Sequence, residues 1–356
     1  MKKLIMGFAA FFSAALIFAD TYNPPVGAQN LYNLSSPTQL TSASSSAGGA
    51  IFMPGAESIT MNPALTATEQ RSQLNADFTF LMSTIANDPS GAAWQSGILI
   101  PTKFFVFAGL VNGVHCDSTA MTLGNSLNAH AGLSKEVSDH LSIGLNLNGG
   151  VFWGAGSDWA LGADIGILYN FGDLGFLKDF RLGVSELNLG KYYNDVTLKG
   201  IKGYSSDGAP IVNFPTIATT RIGVAGLFFS TKQFKGGFSF DLATPCFSDL
   251  IIDAGLQFSF NDMIFLNVAE SIDIAEACCG KSNFLPSVSL GIKFKLSAAN
   301  NEYLKSHSWD SSDMLATLAW QQRYESIHAI SGGARLYLGQ KDVVPPVIQM
   351  WVGEEE

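Results

Sequence analysis

The sequence predicts an all-β transmembrane protein: an antiparallel β-barrel of about 14 strands, with an N-terminal hatch or plug inside its lumen. Three observations carry this. The chain is poor in charge, it opens with an export signal, and apolar residues recur at every second position over most of its length.

Of 356 residues, 14% are charged and 47% apolar, with 36 Gly and 26 Phe. A soluble domain carries about 25% charged residues, so much of this surface has no need to face water. Lys+Arg number 20 against 30 Asp+Glu with no basic cluster, which argues against a nucleic-acid partner.

Lys2 and Lys3 precede an uncharged run, Leu4 to Phe18, followed by Ala19 and Asp20. That pattern reads as a signal peptide over 1–19, with export to the cell outer membrane. Beyond it no apolar run reaches the ~18 residues of a membrane helix; the best, Phe104 to Val114, is short and holds two glycines. An exported, charge-poor chain without a helical span fits a barrel. Its outer surface would meet outer-membrane lipid.

Alternation supports the barrel. In Leu141 to Asn148, Leu141, Ile143, Leu145 and Leu147 share one face, against Ser142, Gly144, Asn146 and Asn148. The segments Trp159 to Phe171, Ile252 to Asn261 and Val288 to Leu296 alternate in the same way. Turn residues bound strands at 73–81, 93–100, 103–112, 120–134, 140–152, 158–171, 179–190, 216–230, 233–243, 249–260, 263–272, 285–296, 313–323 and 328–339. From a periplasmic N-terminus, the tight connections at Pro101-Thr102, Thr231-Lys232 and Asn261-Asp262 fall on the periplasmic side, as barrel turns do. The long connections Lys191 to Pro215 and Asp273 to Phe284 fall outside. Ser297 to Ser312 is long yet periplasmic, an exception to the rule or a miscount. The domain plan is a hatch over 20–72, a barrel over 73–340 and a periplasmic tail over 341–356.

Residues 20–72 do not alternate. Ser35 to Ala50 is small and polar, a linker or a segment whose small residues let backbone pack closely in a lumen. The stretch "GGAIFMPGAESITMNPALTA" (48–67) resembles the N-terminal hatch of FadL-type outer-membrane transporters of long-chain fatty acids. "FRLGVSELNLGKYY" (180–193) and "FPTIATTRIGVAGL" (214–227) resemble paired strands of that family, its PorV-like relatives and its spirochaetal branch. The resemblance implies uptake of fatty acids or other hydrophobic molecules, captured at extracellular loops and passed through a plugged barrel. It makes Asn62, Pro63 and Ala64 the hatch motif. The alternatives are a general porin and a PorV-like scaffold for secreted proteins.

An acyl tail gains about 0.8 kcal/mol per buried methylene, so apolar hatch residues such as Phe52, Met53 and Met61 are candidate ligand contacts. A carboxylate head calls for a cation. Parity places Arg221, Lys293, Lys295 and Arg335 on the lumen face, where they bind a ligand or simply pair with Asp77, Asp164, Asp241 and Asp253. The loop aromatics Tyr192, Tyr193, Tyr204 and Phe247 form a capture groove or pack among themselves. Cys116, Cys246, Cys278 and Cys279 show no metal-ligand spacing; one of the adjacent pair bridges to Cys116 or Cys246, or all stay free. The five His are scattered, without a catalytic motif, so no enzyme, metal or cofactor is expected.

Overall fold

The computed structural model describes residues 34–41, 45–84, 86–87, 89–116, 124–153, 157–191, 218–245, 247, 250–274, 277, 285–297, 302–306, 311–323 and 327–339. The predicted signal, the C-terminal tail, Tyr192, Tyr193, Tyr204, Cys246, Cys278 and Cys279 lie outside these residues.

Fourteen strands follow one another around a closed ring. They are β1 (Ser72–Ser83), β2 (Gly91–Pro101), β3 (Val106–Cys116), β4 (Gly124–Ser138), β5 (Leu141–Trp153), β6 (Ser157–Leu174) and β7 (Leu177–Lys191). The second half comprises β8 (Thr219–Ser230), β9 (Phe234–Pro245), β10 (Ile251–Phe260), β11 (Ile264–Asp273), β12 (Ser287–Ser297), β13 (Ser311–Arg323) and β14 (Ile327–Leu338). The last strand pairs antiparallel with the first, from Ser72↔Leu338 to Ser83↔Ile327. Closure leaves no free edge, which is what lipid demands of a sheet.

The two faces differ as alternation requires. Leu145, Leu147, Leu161 and Leu318 are 59–65% exposed with no protein over them, whereas inward Asn146 and Asp164 are 1% and 2% exposed. No helix among the described residues is long and apolar enough to cross a membrane; the crossing is made by strands.

Connections from even to odd strands are tight at one end: 139–140, 175–176, 231–233 and 261–263. The 298–310 connection lies at this same end and carries the short helix α2 (Glu302–Ser306), so it is a true exception. The long 192–218 connection is at the opposite end. All fourteen predicted strands exist, with two displaced. β3 starts at Val106, not 103, because Thr102 closes a turn: its N–H donates to the Phe105 carbonyl at 2.9 Å, and its Oγ1 accepts from Phe104 N at 3.3 Å. β4 runs to Ser138, with a bulge between Glu136 and Ser138.

Ahead of β1, residues 34–68 form a short helix α1 (Pro37–Leu40) and two 3-10 turns, Ala56–Thr60 and Pro63–Thr68. Helix α1 packs on β12–β14, the first 3-10 turn on β1–β4 and the second on β3–β6. Backbone and side chains of Ser46 to Ile51 reach β7, β9 and β10. Touching opposite sides of the ring, the segment lies within it. Its core is Met61, Ala64 and Leu65 on Leu168, with Phe52 packed alongside, and Ile59 against Ala108 and Leu110.

Candidate functional site: the N-terminal segment in the lumen

Asn62 is fully buried and caps the second 3-10 turn, its Oδ1 accepting from Ala64 N at 2.9 Å. Pro63 occupies the first helical position, where its missing N–H leaves nothing unsatisfied. The Asn62 Nδ2 donates in two directions, to the Ser46 carbonyl at 2.8 Å and to the Ile167 carbonyl of β6 at 3.0 Å. One side chain therefore caps a turn, joins two parts of the segment and ties both to the wall.

The wall receives the segment on glycines. A Cβ on Gly144 would overlap the Pro63 carbonyl group, and one on Gly166 the Asn62 side chain. Equivalent atoms on Gly97, Gly223 and Gly237 would meet Ala56, Ser46 and Ala50 at 2.6–2.9 Å. On Gly132 and Gly333 they would meet Ile59 and Pro37 at 3.0–3.1 Å. Inward positions on β2, β4–β6, β8, β9 and β14 are thus bare where the segment presses. Gly291 of β12 differs: the three atoms nearest its Cβ belong to Leu315, Phe265 and Thr317, all wall residues, at 3.3–3.5 Å.

Polar anchors tie the segment to the wall on both sides, including Ile51 N donating to the Gln257 side chain of β10 at 2.8 Å. Asp241 accepts from Ser46 N at 3.0 Å and Ser46 Oγ at 2.5 Å while pairing with Arg221 at 2.6 Å. Asp253 approaches the same Arg221 at 3.4 Å. The Arg181 guanidinium donates to the Gly49 carbonyl at 2.5 Å and the Ala50 carbonyl at 3.2 Å, and lies 4.5 Å over the Phe52 ring. Arg335 pairs with Glu57 and donates to the Met53 carbonyl at 2.8 Å. Above these contacts a polar row continues around the wall. Asp164 accepts from Asn146 and Asn148, Thr220 donates to Glu186, and Asp77 accepts from Gln95 at 2.7 Å.

Arg221, Lys293 and Arg335 are where parity puts them, and each has an acidic partner: Asp241, Asp313 at 3.5 Å, and Glu57. Lys295, in register with Asp313, is exposed at the mouth of the lumen. Phe52 and Met61 sit in the packed cluster, while Met53 faces a void. Phe247 occupies a turn with φ 54°. Arg181 and Glu57 were missed by sequence reasoning. Both carried a signal: Arg181 has inward parity in β7, and Glu57 is the sole charged residue between 34 and 68.

The void is about 60 Å³, bounded by the segment at Ile51 and Met53 and by the wall at Phe265, Ser289, Leu315 and Arg335. It lies on the β10–β14 side, in the half of the barrel nearer the tight turns. Among the described residues no group of three or more His, Cys, Asp or Glu is arranged to hold a metal.

A closed ring, apolar outside and with described residues of its N-terminal segment packed inside it, defines a transmembrane β-barrel. Its fold is of the FadL type, and its similarity is to hydrocarbon channels. CymD, a monoaromatic hydrocarbon channel, matches with TM-score 0.53 and 13% identity over 88% of this chain and 99% of that one. The Ralstonia pickettii toluene transporter TbuX matches with TM-score 0.52 and 10% identity over 86% and 99%. The P. putida toluene transporter TodX matches with TM-score 0.51 and 12% identity over 84% and 99%. No protein-family model and no curated protein sequence matches the chain. The likeness thus reaches the FadL-type fold and no narrower branch.

Proposed function

We propose that this chain is an outer-membrane transporter for the uptake of hydrophobic molecules, with residues 34–68 acting as the hatch. One observation carries the reading: a lipid-facing barrel has its lumen occupied by the chain's own N-terminal segment, hung on the wall by Asn62, Arg181, Asp241 and Arg335. A general porin needs an open lumen, and a segment packed from Leu34 to Thr68 across this one favours the transporter reading over it. The solved channels of the same fold carry toluene and monoaromatic hydrocarbons, which supports an apolar cargo.

The lumen cations bear on the cargo. Arg221, Lys293 and Arg335 already face carboxylates, so a fatty-acid head at any of these three would have to displace one; only Lys295, exposed at the mouth, is open to it among the four. An uncharged molecule faces no such competition, and its affinity comes from apolar burial at about 25 cal/mol per Å². Uncharged hydrocarbons are therefore the favoured cargo, with long-chain fatty acids second. Labelled toluene and labelled oleate should both be assayed for uptake into vesicles holding the folded protein. Saturable toluene uptake with low ionic conductance is expected. A folded barrel that accelerates neither probe would reject the reading.

A further inference from the structure

We propose that the void between residues 51–53 and the β10–β14 wall binds a small uncharged molecule with an apolar body, and that cargo passes the hatch on this side while the hatch stays in place. The proposal rests on the transport reading and adds the route.

The hatch is held unevenly. It sits directly against wall glycines on β2, β4–β6, β8, β9 and β14, polar anchors fix it to β1, β4, β6, β7, β9, β10 and β14, and helix α1 packs on β12–β14, whereas among the described residues none of these contacts falls on β11. Displacing it from β6, β7 and β9 breaks the bonds of Asn62, Arg181 and Asp241 together. Across the void the wall carries Phe265 and Leu315, facing Ile51 and Met53. Hydroxyls of Ser289 and Thr317 also line it. Ser289 accepts from Asn267 at 2.7 Å, leaving its own proton for a ligand. The charge at its rim is neutralised, since Arg335 is paired with Glu57. Apolar bodies with at most a weak acceptor match such walls; free ions do not.

Among the described residues the wall is also least tied here. β11 and β12 share six register pairs, Ile264↔Ile292 to Ala269↔Ser287, whereas β10 and β11 share ten. Both strands of that short seam line the void, through Phe265 on one and Ser289 and Gly291 on the other. A cargo larger than the void can therefore pass by bending a seam held by few ladder bonds, without lifting the hatch.

Gly291 lines the void and a Cβ there would lie 3.3–3.5 Å from Leu315, Phe265 and Thr317, so Gly291→Phe directs a ring into it once the end of the Leu315 side chain gives way. Toluene uptake should fall at least tenfold. Gly332→Phe, on the outward face beside Leu318, should leave uptake unchanged. A folded Gly291→Phe barrel with wild-type uptake would overturn the route. If Gly291→Phe fails to assemble, Ser289→Cys in a cysteine-free background is modified after folding with N-ethylmaleimide, and the adduct should block uptake; an adduct without effect overturns the route equally. Toluene should slow that modification at least fivefold, and absence of protection in a folded barrel overturns the binding site. This last readout needs no transport: protection with no wild-type uptake sinks the transport reading and leaves the site standing.

Discussion

The side chain of Asn62 occupies the space that a Cβ on Gly166 would fill, while its amide donates to the carbonyl of Ile167, the next residue of β6. The N-terminal segment and the wall are therefore complementary at single-atom scale, and the bare position is part of the contact. Gly166→Val should expel Asn62 from its seat. Overpacking costs about 1–3 kcal/mol, and the loss of the Asn62 bonds adds about 1–3 more. The expected result in planar bilayers is a steady conductance in the variant where the wild type conducts little. Asn62→Ala, which removes the bonds without the clash, should open it less. Low conductance in both variants, with unchanged amide protection over residues 58–68, would show that the anchor does not hold the plug.

Arg181 lies 2% exposed and holds the chain at Gly49 and Ala50 through one guanidinium nitrogen. Hydrogen bonds from a charged donor contribute about 1.5–3 kcal/mol. Arg181→Met keeps the bulk beside Phe52 and removes both bonds. Amide exchange at residues 49–53 should accelerate by roughly ten- to a hundredfold, with the barrel amides unaffected. Uniform acceleration through β6 and β7 would instead make Arg181 a wall residue whose role is barrel stability.

Leu147 stands 65% exposed at the middle of β5, between inward Asn146 and Asn148. If that face meets acyl chains, Leu147→Arg should cost about 2–4 kcal/mol, read as a lower folded fraction in a urea titration of vesicle-inserted protein. A charge introduced at Leu174, at the tight-turn end of β6, should cost about 0–1 kcal/mol by the same assay. Equal costs at both depths would contradict a membrane-spanning exterior.

Much of this was legible because one force writes the strands. Lipid requires an apolar group at every second position, so Leu141 to Leu147 and Val288 to Phe294 reveal both span and face. The same parity located Arg221, Lys293 and Arg335 inside. It misled at Lys103-Phe104-Phe105, where Phe104 and Phe105 are exposed in a turn, and apolar turn residues look like strand. The N-terminal segment stands out in the sequence as a non-periodic piece, but its path does not, because no period relates Ser46 to Asp241 or Glu57 to Arg335. Its contacts are fixed by shape, through glycines chosen from 36 in the chain.

The Glu57–Arg335 pair sets the charge at the rim of the void, and changing it should change what the void prefers. Both side chains are under 10% exposed, so the guanidinium cannot turn to water when its partner is neutralised. Glu57→Gln keeps the shape of the side chain and removes its charge. Arg335 remains held by the Met53 carbonyl at 2.8 Å and the Tyr337 hydroxyl at 3.2 Å, still at the edge of the void. A carboxylate ligand then gains a charge-assisted bond that the wild type spends on Glu57. The ratio of benzoate to toluene binding should rise at least tenfold, about 1.4 kcal/mol, within the range of a bond to a charged group. Arg335→Met in the same background should abolish the gain and return the preference to toluene. An unchanged ratio in a folded Glu57→Gln barrel would mean that Arg335 meets no ligand, and that its task is confined to holding the hatch.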